Sequence, residues 1–327
     1  MTPHTTTPHL RTMLVVVLSA LSLGALVARP APAAAADASW TVRTAANDFG
    51  TDRTDYGYTL SAGGRIEDGI EIVNQGTTAL HLSLRPADAV LDAAGRIDMA
   101  GASARAAGVG AWVHLQQQAV TVDPGATLTV PFVLTPPRGA AAGDHVGGIV
   151  TTAGGRRAGL QIRLRVSGAL RPALAVSGVH VEYDGSANPV GSGDATVSYT
   201  VRNTGNTTLS ARQAVSVAGP LGVWRRGAGR VADTPALPPG TSWTVSAPVR
   251  DVAPALRARA SVKVTPLLVD AAGSTSPLRA VSASGGTWTL PWTLLVALIL
   301  LVGLVVVVVR RVGVPRRRGR GVRGAVA

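Results

Sequence analysis

Ile72-Val73-Asn74-Gln75-Gly76-Thr77-Thr78-Ala79-Leu80 has a counterpart in Val201-Arg202-Asn203-Thr204-Gly205-Asn206-Thr207-Thr208-Leu209. Both read as apolar strand, Asn-x-Gly turn, second strand. Asparagine and glycine tolerate the positive φ of a reversing chain. A second pair follows in the same order. Asp123-Pro124-Gly125 leads into Ala126-Thr127-Leu128-Thr129-Val130, and Pro238-Pro239-Gly240 leads into Thr241-Ser242-Trp243-Thr244-Val245. Two tandem modules result, with a boundary at residues 167–172. The signatures lie 50 residues apart in the first module (Asn74 to Pro124) and 36 apart in the second (Asn203 to Pro239). This predicts an insertion in the first module, within residues 86–118. Insertions between strands are where binding surfaces tend to be added.

Outward from the repeat, residues 39–279 consist of short β-rich runs broken by Gly, Pro, Asn and Asp. Leu160-Gln161-Ile162-Arg163-Leu164-Arg165-Val166 and Ala260-Ser261-Val262-Lys263-Val264 alternate apolar with polar, so one face meets a core and the other meets water. No segment keeps a long helical period, although residues 100–111 have room for a short helical turn. Regularly spaced short strands with Gly/Pro turns mean a sandwich or a barrel. The expected class is all-β, with domains at 37–168 and 169–282.

The ends read differently. Arg11, an apolar run over residues 13–27, and the small-residue stretch ending in Ala34-Ala35-Ala36 have the order of a secretory signal peptide, 1–36. Near the other end no charge occurs between Arg279 and Arg310, and residues 290–309 form an apolar run of 20. About 20 residues suffice to cross a bilayer as a helix. Trp288 and Trp292 stand at its outer edge, where indole rings favour the interface, and Arg310 and Arg311 follow at once. The expectation is a transmembrane helix at 288–309 and a basic cytoplasmic tail at 310–327, with the modules outside the cell.

The net charge of +13 divides accordingly, with +2 in the leader, +7 in the tail and +4 over the modules. The basic run beside an apolar span, without aromatics, argues against nucleic-acid binding. The absence of cysteine removes thiol nucleophiles, cysteine zinc sites and disulfides, so each module must bury its own core.

No nucleophile elbow, His-Glu-x-x-His helix or phosphate loop is present. His81, His114, His145 and His180 are scattered. Asn47, Asp48, Asp52 and Asp55 share a polar loop of the oxygen-rich kind calcium favours, but in a spacing that fits no known calcium loop. Asn206-Thr207-Thr208 has the form of a glycosylation sequon and reads better as a hairpin turn. Aromatic side chains stack on sugars and anchor interfaces. Tyr56 and Tyr58, in a Gly-rich loop, and Trp112, in the insertion, are the binding candidates, with core packing as the competing reading. The expectation is a non-enzyme with no cofactor and no metal.

Gly69-Ile70-Glu71-Ile72-Val73-Asn74-Gln75-Gly76, the alanine-rich insertion ending in Trp112, Asp123-Pro124-Gly125, Pro136-Pro137 and Gly143-Asp144-His145-Val146-Gly147-Gly148-Ile149 follow one another in an order that resembles the peptidoglycan-binding domain of the WxL-interacting proteins of Gram-positive bacteria. The likeness covers residues 40–166. Residues 172–280 resemble that family's second, Ig-like domain more loosely. The resemblance implies two Ig-like β-sandwiches at the cell surface and binding to cell-wall peptidoglycan or another surface protein, of WxL type in that family. An accessory subunit acting through protein–protein contact alone is the alternative expectation.

Overall fold

The computed structural model describes residues 40–185, 191–253, 257–269, 275–288 and 292–312. The expected signal peptide and the tail beyond residue 312 lie outside the described residues.

The first module is a sandwich of two sheets. One sheet has the order β1 (Trp40–Thr44), β3 (Ile66–Asn74), β8 (Thr127–Leu134), β6 (Val113–Leu115). The other has the order β2 (Tyr56–Leu60), β10 (Arg156–Val166), β9 (Gly143–Ala153), β4 (Leu80–Leu91), with β5 (Ile97–Met99) and β7 (Ala119–Val122) both paired to β4. All pairs are antiparallel except β2 with β10, which runs parallel from Tyr56 opposite Ile162 to Leu60 opposite Val166. The inward positions meet in one core that includes Ile70, Ile72, Phe132, Leu134, Ile149, Ile162 and Leu164. Each such side chain contributes roughly 1.5–3 kcal/mol relative to exposure.

The second module repeats the plan with fewer strands. β11 (Leu174–Asp184), β12 (Gly193–Asn203) and β15 (Ser242–Val252) form one sheet. β14 (Arg226–Gly227), β13 (Leu209–Ala218) and β16 (Arg257–Val269) form the other, with β17 (Thr275–Pro277) and β18 (Val281–Trp288) both on β16. Val197, Tyr199, Val201, Val217, Val249, Val262 and Val264 fill its core. In both modules the second and fifth principal strands share one sheet, and the third and sixth share the other. That Greek-key pairing is the Ig-like arrangement.

The repeated Asn-x-Gly corners are not hairpins. Each carries the chain from one sheet to the other, from β3 to β4 and from β12 to β13, and neither asparagine nor its glycine has positive φ. Their role is hydrogen bonding. The buried Asn74 amide donates to Thr78 O (2.8 Å), Val122 O (3.0 Å) and Asp123 O (3.1 Å), while its Oδ1 accepts from Gly76 N (2.9 Å). Asn203 does the same with Thr207 O (2.8 Å), Leu237 O (2.7 Å) and Gly205 N (3.0 Å). Gly205 is required by close approach, since a Cβ there would stand 2.3 Å from Arg171 O. The Pro-Gly turns do use positive φ, at Gly125 (70°) and Gly240 (80°).

The insertion folds back over the first module. Asp88 accepts three backbone N–H groups, from Ala107 (2.7 Å), Gly108 (3.0 Å) and Gly110 (2.7 Å), and so positions the short helix α1 (Val109–Trp112). Met99 lies on Gly148, where a Cβ would be 2.9 Å from its sulfur.

A polar joint holds the modules together. The Gly143 position has no room for a side chain, because a Cβ would stand 2.0 Å from Asn206 O. Asp144 N donates to that same oxygen (2.8 Å). The Asp144 carboxylate accepts from Arg165 (2.7 and 3.2 Å) in its own module and from Thr207 Oγ1 and Thr208 N (2.8 Å each) across the joint. Asn206 Nδ2 donates to Ala142 O (2.8 Å) and Ala169 O (2.9 Å). The sequon asparagine is thereby fully engaged as a structural bracket. Nearby, the β4–β5 tip leans on the second module, with Gly95 against Pro235 and Trp243.

A helix, α2 (Trp292–Val312), follows β18. Val296, Leu298, Leu301 and Val305 are among its exposed apolar side chains, and Arg310 and Arg311 stand exposed in its last turn. Side chains at 292–295, 297 and 312 lie outside the described residues, among which no helix is long and apolar enough to cross a membrane. Trp288 belongs to strand β18 rather than to the helix; it is 69% exposed, and Arg257 Cζ lies 5.8 Å from its ring centre.

Two outcomes follow. Replacing Asn203 with Ala, which strands buried carbonyls, is expected to cost about 2–3 kcal/mol, read as a lower urea midpoint at unchanged slope. At Asp144, burial opposes the charge, but Arg165, Thr208 N–H and Thr207 outweigh it and hold the carboxyl below its ordinary 3.8. The unfolded chain therefore takes up the proton first. The joint's contribution is complete above 3.8 and is lost as the pH falls through the lower folded value. Asp144→Asn should flatten that acid limb in a pH series of thermal midpoints.

Candidate functional site

The aromatic residues expected to bind are mostly interior. Tyr56 and Tyr58 sit on strand β2, not in a loop, with exposures of 0% and 7%. The alternation of β2 turns both rings inward, where Tyr56 meets Phe132 edge-on at 5.2 Å. They offer no platform to a sugar. Their hydroxyls serve a buried polar network instead. Tyr56 donates to Gly69 O (2.6 Å), and Tyr58 donates to Asp68 Oδ2 (2.5 Å). Burial pushes both phenols up, and the adjacent Asp68 carboxylate pushes them the same way.

Asp68 is the centre of that network. Arg53 reaches it with both terminal guanidinium nitrogens, Nη1 and Nη2 (2.7 and 3.1 Å), Asn47 donates at 2.6 Å, and Gly69 N at 2.7 Å. Burial alone would raise its pKa, but these donors hold it below 3.8. Asn47 and Arg53 are thus committed to a structural lock, and Asp55 pairs with Arg163 at 2.8 Å. The polar loop does not gather its carboxylates. Among the described residues, no three His, Asp or Glu side chains converge as metal ligands.

Trp112 is half-buried. Its ring packs edge-on against His145 at 4.8 Å, and its carbonyl accepts from Thr135 N (3.0 Å). His145 donates to Ala141 O at 2.8 Å. This pair seals the insertion to the start of β9 rather than projecting into solvent. The basic outer stripe of β10 is also spoken for, since Arg157, Arg163 and Arg165 face Asp98, Asp55 and Asp144.

The open feature lies in the second module. Among the described residues β15 pairs along one side, with β12 from Gly193 opposite Val252 to Arg202 opposite Ser242. In the first module β6 flanks the equivalent strand, β8. Among the described residues no strand takes that place beside β15. The shorter spacing between the second module's signatures therefore reflects this missing strand as well as the insertion in the first. The segment at 228–237 runs instead along β13, through Ala228 N to Val215 O (2.9 Å), Thr234 N to Ala211 O (2.9 Å) and Gln213 Nε2 to Ala232 O (2.7 Å). Between it and β15 lies a groove of about 530 Å³, lined by Ala228, Val231, Pro235, Trp243, Val245 and Ala247, with Arg230 and Asp233 also among its walls. Pro248 sits within β15, which is tolerated on edge strands and avoided in central ones.

The chain is thus a pair of Ig-like β-sandwiches joined in tandem. No protein-family model matches the chain, and no curated protein matches it. Solved structures similar to it include the class 5 fimbrial chaperone CfaA, at 8% identity, covering 75% of this chain and 98% of that one, TM-score 0.36. The CupB2 chaperone of Pseudomonas aeruginosa has 12% identity over 73% and 99% of the two chains, TM-score 0.31. A family 123 glycoside hydrolase from Clostridium perfringens has 9% identity, TM-score 0.31, and the match spans 40% of this chain and 28% of that one. These likenesses are shallow, and the sandwich assignment stands on the strand pairing described above.

Tyr58→Phe should lower stability by about 1–2 kcal/mol through the lost bond to Asp68. Denaturant unfolding reads this, and the retained near-ultraviolet dichroism of the variant would place the effect on the network rather than on the fold.

Proposed function

We propose that this chain is a non-enzymatic, membrane-anchored surface protein that holds a partner protein by taking one of its extended segments as an added strand along β15. The single observation that carries the reading is the side of β15 that no strand pairs among the described residues, which borders an open, largely apolar groove between Trp243 and Pro248. A sheet edge supplies main-chain hydrogen bonds to any extended peptide, and pockets for alternate side chains supply selectivity. Here Val245 and Ala247 face the groove, and Trp243 closes its end near the first module. The preferred segment would alternate small apolar with polar residues.

The leader-like N-terminus and the apolar run before Arg310 support an anchored protein with both modules outside. The likeness of residues 40–166 to the WxL-interacting proteins supports a surface protein as the partner. The polar joint supports a scaffold role, since it ties the first module to the module that carries the groove.

The test uses the absence of native cysteine. A photo-cross-linker attached at Ser246→Cys on cells is expected to capture one partner through an extended segment. The same label at Thr59→Cys, on the outer face of β2, should not capture it, and Val231→Lys in the groove should abolish the adduct. Capture equal at both positions, or unaffected by Val231→Lys, would sink the strand-addition reading.

A further inference from the structure

The end of the second module opposite the joint carries an exposed apolar turn. β13 ends at Ala218 and β14 begins at Arg226. Between them Leu221, Val223 and Trp224 are 103%, 48% and 62% exposed. The turn is closed internally, by Gly219 N to Val223 O (2.8 Å) and Gly222 N to Gly219 O (3.1 Å). Leu221 and Trp224 hold φ of 55° and 53°, a region bulky residues rarely occupy. The strain displays both side chains to solvent when an ordinary turn would have used glycine or asparagine there. A turn kept only for connectivity would carry polar residues at these positions.

Strand register fixes what lies beside it. Ala218 is opposite Arg259, and Arg259 is opposite Gly286. Arg257 is opposite Trp288. The turn thus leaves the sheet at the end where β18 finishes, two strands away. Trp288 and the first residue of α2 are four residues apart, so covalent reach keeps them within about 14 Å. By register, Arg225, Arg226, Arg250, Arg257 and Arg259 stand at this end with Glu182, Asp184, Asp194 and Asp251, a small basic excess. Arg226 is tied to Asp251 O (3.1 Å), and Asp251 N to Asp194 Oδ1 (3.3 Å). Exposed indole and aliphatic side chains next to arginines suit the headgroup layer of a membrane, where rings sit at the polar boundary and cations meet anionic lipid.

We propose that the Leu221–Trp224 turn is a second membrane contact, inserted into the headgroup region of an anionic bilayer beside the point where the chain enters it. This rests on the reading that α2 crosses that bilayer. One anchor leaves the modules free to swivel, whereas two contacts at one end set their tilt.

The experiment uses the full chain in nanodiscs, with single nitroxide labels at Val223→Cys in the turn, Val302→Cys in α2 and Gln117→Cys on the first module. Collision with oxygen and with a water-soluble nickel chelate is read at each. In phosphatidylcholine–phosphatidylglycerol discs the label at 223 is expected to be several-fold less accessible to nickel than that at 117. Pure phosphatidylcholine, or Arg225→Glu with Arg226→Glu, should weaken that protection. Nickel access at 223 equal to that at 117, with 302 protected, would overturn the turn's role and leave the span standing. Access at both 223 and 302 would overturn both. Protection at 223 without oxygen enrichment would mean burial against protein, and would also overturn the lipid contact.

Discussion

A single carboxylate governs how the two sandwiches form one object. Asp144 lies at the first residues of β9 and binds Arg165 behind it and the β12–β13 corner in front of it. Around it Gly143 permits backbone contact and Asn206 brackets the linker on both sides. The corner it grips is itself built on buried Asn203. The joint is therefore anchored to the core of the second module through only a few residues. The leaning of the β4–β5 tip on Trp243, and with it the closed end of the groove, depends on this alignment.

The fold was largely legible in the sequence, and the reasons are local. A two-residue alternation in stretches such as Leu160 to Val166 needs no tertiary information to announce a half-buried strand. Pro-Gly turns at Gly125 and Gly240 declare themselves through φ. The repeated Asn-x-Gly identifies the repeat but not the kind of turn, because a corner between sheets and a hairpin within one use the same residues. The distinguishing signal was present. Asn74 and Asn203 share the inward parity of Ile70 and Ile72 or of Tyr199 and Val201, and a polar group in that register must find its partners inside.

The site was much less legible. Tyr56 and Tyr58 lie among glycines and charges, so the sequence suggested a loop, whereas their spacing of two placed both in the core. Asp68, their partner, shares the inward face of β3 with Ile66, Ile70 and Ile72, a conflict that marks a buried network. The groove beside β15 could not be seen directly, since it is defined by a strand that is missing. Only the shorter distance between the second module's two signatures hinted at it, and the same number fitted an insertion elsewhere.

The parallel pairing of β2 with β10 has a mechanical meaning. These are the early and final strands of the first module, and they run side by side over five residues. A pull between the start of β2 and the end of β10 drags them in opposite senses along their length. The bonds between them then bear the load together, in shear, and cannot open one at a time like a zipper. Force carried across the first module would meet these few bonds as a set, whereas a load running from the groove beside β15 to α2 bypasses them.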